Sequence, residues 1–64
     1  MTGEQVKEAR LRLGLSCRDL AAAIGWAPTR ANARRVRRLE LEGANGKAEH
    51  ALQQLLAQQA DQAA

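Results

Sequence analysis

The sequence predicts an all-α fold, a compact four-helix (or five-helix) domain, on three observations. Strong helix formers (Ala, Leu, Arg, Glu, Gln) fill most positions while β-branched residues are scarce. Apolar residues recur at helical spacing. Oxygen-bearing cap residues and glycines divide the chain where helices should start and stop. The 64 residues make one domain, residues 1–64, with fraying expected after about residue 60. A chain this short buries only about 60% of the surface that its unfolded form exposes, so its core must be thin.

The first helix is expected from about Gly3 to Leu13, with Thr2 as N-cap and Gln5 closing a capping box. Val6, Ala9 and Leu13 form its apolar stripe, Leu11 lies at the stripe's edge, and Gly14 is suited to a left-handed C-cap. The second helix, Ser16–Ile24, starts on the Ser16 cap with Asp19 three residues on, and Leu15 can staple onto Leu20. Ala21 is small where a neighbouring helix must come close, and Gly25 ends the helix.

Trp26, Ala27 and Pro28 connect to a third helix, about Thr29 to Leu41, because Pro28 disfavours helical dihedrals at Ala27 and can itself open a helix. A rotation of about 100° per residue turns Val36 and Leu39 inward, with Asn32 and Ala33 near the same side. It puts Arg30, Arg34, Arg37 and Arg38 outward, Arg35 on the flank and Leu41 on the arginine side. Gly43 to Gly46 read as a loop, and Asn45 or Gly46 caps the fourth helix, with Glu49 as partner to a cap at Gly46. That helix runs through about Ala60, with Ala48, Ala51, Leu52, Leu55 and Leu56 on one face and Gln53, Gln54, Gln58 and Gln59 on the other.

Charge is the functional signal. The net charge is only +3, yet five of the ten basic residues lie between Pro28 and Leu39 with no acid among them. Arginines at i, i+4 repel one another, and solvated faces ordinarily mix signs. A polyanion partner gives that arrangement a reason, and arginine's planar fork suits phosphate and guanine better than lysine does. With Trp26 as the only aromatic, the composition argues against stacking platforms for single strands. The expected partner is double-stranded DNA.

Other classes find little support. No paired acids, Ser-His arrangement, nucleotide loop or metal cluster is apparent, so no catalysis, cofactor, metal or small-molecule substrate is expected. No apolar run is long enough to span a membrane and the N-terminus lacks a signal-peptide core, so a cytoplasmic location is expected. Cys17 beside Arg18 at a helix start invites a redox reading, but a lone thiol without a partner is more often incidental. His50 reads as a surface histidine. Trp26 is open to three roles: core, backbone contact on DNA, or dimer anchor. Leu52, Leu55 and Leu56 divide between closing the core and a dimer interface. The adaptor reading, in which the basic helix docks an acidic protein, stays open, as does structured RNA.

The segment Ala9-Arg10-Leu11-Arg12-Leu13-Gly14-Leu15-Ser16-Cys17-Arg18-Asp19-Leu20-Ala21-Ala22-Ala23-Ile24-Gly25-Trp26, followed by Val36-Arg37-Arg38-Leu39-Glu40-Leu41-Glu42-Gly43, resembles the Cro and phage-repressor type helix-turn-helix family. The resemblance spans roughly residues 4–56. It implies a repressor-like fold and a dimeric transcriptional regulator on a palindromic operator, with reading helices about 34 Å apart. It implies a structural salt bridge between Arg10 and Glu40, and core roles for Leu13, Leu20, Ala21, Ile24, Val36 and Leu39. Candidate DNA contacts are then Arg30, Arg34, Arg35, Arg37, Arg38, Arg18, Cys17 and Thr29. Three departures stand out. Cys17 replaces the family's DNA-contacting glutamine and is a weak donor, and Leu39 replaces its common tryptophan. The Gly25-to-Val36 interval is also several residues longer than the family's, so the turn is longer or the third helix starts early; the Pro28-Thr29 start fits the second better and puts Arg30 and Arg34 near the end that enters the groove.

Overall fold

The computed structural model describes the backbone of residues 1–63 and the side chains of residues 1–60. The backbone of the fourth helix continues to Ala63, past the end expected at about Ala60. The chain is all-α, with α1 Gly3–Leu13, α2 Cys17–Ala23, α3 Arg30–Glu42 and α4 Gly46–Ala63.

Caps set the boundaries. The Thr2 hydroxyl accepts from the Gln5 amide and the Gln5 side chain accepts from the Thr2 amide, closing the capping box that opens α1. Ser16 accepts from the Asp19 amide, and α2 ends at Ala23 with Ile24 as its cap, one residue short of the expected end. Thr29 is the cap of α3 rather than its first residue, accepting from the Asn32 amide at 3.1 Å. The helix is thereby shifted one residue along, to Arg30–Glu42.

Gly14 closes α1 at φ 72°, ψ 28°, its amide bonding back to α1 carbonyls while Leu15 N donates to Arg10 O. No atom lies within 4 Å of where a Cβ at Gly14 would sit, so the requirement is conformational alone. Gly14→Ala should therefore cost about 1–2 kcal/mol, the left-handed penalty for an L-residue. Urea titration checks this, and a neutral result would refute the assignment.

The core is made of Val6, Leu20, Ala21, Val36, Ala44 and Leu52, with Leu13, Leu15, Ile24, Trp26, Leu39 and Leu55 packed around it. Helix α3 lies against both α1 and α2, and α4 closes on α1. Ala21, fully buried, lets α2 and α3 approach closely. Leu11, expected at the stripe's edge, is 59% exposed.

The first turn of α1 abuts the end of α3, so a Cβ on Gly3 would overlap the Glu40 carbonyl oxygen. Ala44, read as a loop residue, is buried and exchanges backbone bonds with Met1 (Ala44 N to Met1 O, 2.8 Å). Glu49 does not cap α4 as expected; its carboxylate meets the Met1 amino group. Gln59, assigned to the polar face, donates to Arg12 O at 2.7 Å, satisfying a carbonyl that the end of α1 leaves open.

Candidate nucleic-acid interface

The basic face starts from the burial of one residue. Val36 is wholly inside, with Asn32, Ala33, Leu39 and Glu40 half-buried on the same side of α3. Helical rotation then leaves Arg30, Arg34, Arg35, Arg37 and Arg38 exposed. These arginines do not form a uniform strip. Arg30, Ala33, Arg34 and Arg37 line a shallow depression with Cys17 of α2. Ala31, Arg34, Arg35 and Arg38 line a second one. Arg34 borders both, making it the ridge of the face, and no carboxylate lines either depression.

Of the acidic groups near α3, Glu40 is occupied, Glu42 is exposed at the helix end, and Glu4 lines a third depression with Arg37 and Glu40. Glu40 accepts from Arg10 Nε at 2.6 Å, and the two side chains are 12% and 18% exposed. Arg10 Nη1 also donates to Leu15 O at 3.1 Å, tying α1, its C-terminal turn and α3 into one unit. The bond to Glu40 raises the Arg10 guanidinium above its ordinary pKa, against a smaller opposing effect of burial. A raised pKa contributes stability below the unfolded-state value that is lost only as pH rises through the folded one. The Arg10 charge therefore stays constant across neutral pH.

The remaining candidates are dispersed. Cys17 is a half-buried free thiol at the edge of the first depression. Arg18 is exposed on α2. The Thr29 hydroxyl is engaged as the α3 cap. Arg35 differs from its neighbours: its Cζ lies 4.0 Å from the centroid of the Trp26 ring, and its Nη1 donates to Asn32 Oδ1 at 3.4 Å. Sequence rotation put Arg35 on the flank, but a contact nine positions apart across an irregular turn carries no periodic signal. Trp26 is half-buried and packs on the core, with its outer face under Arg35.

The expected dimer interface needs one correction. Leu52 is 0% exposed and sits wholly within the monomer's core, so it cannot line a seam. Leu55 is half-buried and packed against that core. Leu56 is half-buried and lines a groove between α1 and α4 with Gln5, Glu8 and Arg12. Large exposed apolar side chains among the described residues are Leu11 and Leu41, the latter 83% exposed at the end of α3.

Among the described residues no helix is long and apolar enough to cross a membrane, and no three His, Cys, Asp or Glu side chains gather as a metal site. Compared with protein families, curated proteins and solved structures, the chain finds no match.

Proposed function

We propose that this chain is a sequence-specific DNA-binding transcriptional regulator that inserts the exposed face of α3 into the major groove of duplex DNA. One observation carries the reading: five arginines stand outward on a single helix whose inner side is fixed in the core, with no acid among them. A helix fits the major groove, and an arginine fork can take guanine O6 and N7 or a phosphate. The likeness of residues 4–56 to Cro and phage-repressor type regulators supports the same reading, and extends it to a dimeric repressor on a two-fold operator, acting in the cytoplasm.

Selection of bound sites from a random duplex pool tests this, with a two-fold symmetric motif as the expected result. On the selected site, Arg34→Ala should remove about 1–3 kcal/mol of discrimination, the worth of a base-reading fork. Lys7→Ala on α1 should change little. Binding should also weaken steeply with salt, because each neutralised phosphate releases counterions. Equal losses on every sequence would reduce Arg34 to a phosphate contact. Absence of duplex binding at low salt would favour the adaptor reading, in which Leu41, 83% exposed, joins the arginines in docking an acidic protein. Stronger competition by A-form RNA duplexes would favour structured RNA.

A further inference from the structure

The interval from Gly25 to Val36, longer than in the family this chain resembles, holds both the turn between α2 and α3 and the first turns of α3, and it leaves the angle of α3 undefined unless something fixes it. A closed set of contacts spans this turn. Trp26 N donates to Ala21 O at 2.9 Å, anchoring the indole-bearing residue to α2. Arg35 lays its guanidinium over the indole at 4.0 Å and reaches Asn32 Oδ1 at 3.4 Å. Asn32 Nδ2 donates to Ala27 O at 2.8 Å, and the same carbonyl accepts from Thr29 N at 2.8 Å. The path therefore runs from α2 through Trp26 to α3 and back into the turn, with Thr29 capping the helix at its centre.

We propose that Arg35 is a positioning residue rather than a DNA contact: braced on Trp26 and Asn32, it fixes the direction in which the first turns of α3, with Arg30 and Arg34, leave the body of the domain. The proposal rests on the DNA-binding reading for its consequence and on the brace alone for its structure. Arginine suits this role because one flat cation stacks on an aromatic face and donates in its own plane at once. A lysine ammonium is a point charge without that plane. Phosphate binding, by contrast, tolerates lysine well.

The test compares variants on the selected duplex and in the free protein. Arg35→Ala should weaken duplex binding roughly threefold to fivefold, the size of an exposed cation–π pair. It should leave the salt slope unchanged, whereas removal of a phosphate contact lowers that slope by about 0.9. Arg35→Lys should remain impaired. Trp26→Leu should lose as much as Arg35→Ala, with no further loss in the double variant, and Trp26→Phe, which keeps a ring face, should recover much of it.

In the free protein, amide exchange at Asn32 and Ala33, whose N–H groups bond to Thr29, should quicken in Arg35→Ala while the Leu20 amide stays protected. A fall in salt slope, full affinity with Arg35→Lys, or unchanged exchange in free Arg35→Ala would each overturn the proposal. If the wild-type chain bound no duplex, the DNA reading would fail, and the exchange experiment would still decide the brace by itself.

Discussion

Leu20→Ala is expected to bring the domain close to unfolding at 25 °C. Leu20 is fully buried and, with Leu52, Val6 and Val36, makes up the large side chains that the interior holds completely. A buried Leu→Ala change costs about 2–5 kcal/mol, combining lost transfer energy with the cavity left behind. A chain of this length has only about 3–10 kcal/mol of stability in total. Thermal unfolding followed by far-ultraviolet circular dichroism should show a midpoint lowered by more than about 10 °C. Leu41→Ala, at a site 83% exposed, should stay within about 0.5 kcal/mol of the parent. Equal effects at the two leucines would contradict the core described above.

Gly3→Ala is expected to destabilise by about 3 kcal/mol, although the helix propensity of the two residues points the other way. In an isolated helix the change would stabilise by up to about 1 kcal/mol. Here the added carbon would overlap the Glu40 carbonyl oxygen and sit 2.8 Å from its carbonyl carbon. Both obstacles are backbone atoms of α3, so no rotamer change relieves them and the helices must move apart. The Glu40 side chain is tied to the same helix α1 by Arg10, which resists that movement. Denaturant titration of Gly3→Ala gives the sign directly, and a stabilised variant would show that the two helix ends do not meet this closely.

Those two substitutions mark where sequence reasoning succeeds and where it stops. Caps and apolar spacing are local, and they located α1 at Gly3–Leu13 with its Thr2–Gln5 box, the Ser16 cap and the inward turn of Val36. The Arg10–Glu40 pair, expected from the family resemblance alone, is formed. The outward arginines follow from the same rotation that buries Val36.

What could not be read depends on how helices meet. Gly3 looks like an ordinary first-turn glycine until α3 ends against it. Leu52 and Leu56 lie on one face of α4, and only the way α4 packs on the rest of the domain puts the first inside the core. The Trp26–Arg35 stack joins an irregular turn to a helix, so neither period describes it. Thr29 shows the smallest such difference: one cap bond moves it from the first position of the helix to the residue before it.

The seat of Trp26 has an optical consequence. The chain has one tryptophan and neither tyrosine nor phenylalanine, so all of its aromatic absorption, emission and near-ultraviolet ellipticity comes from the corner between α2 and α3. The domain thus carries a built-in spectroscopic probe, with a cation 4.0 Å from its ring. Unfolding traced by that probe reports the corner alone, and its agreement with the helical signal would be a direct measure of how cooperatively the four helices melt.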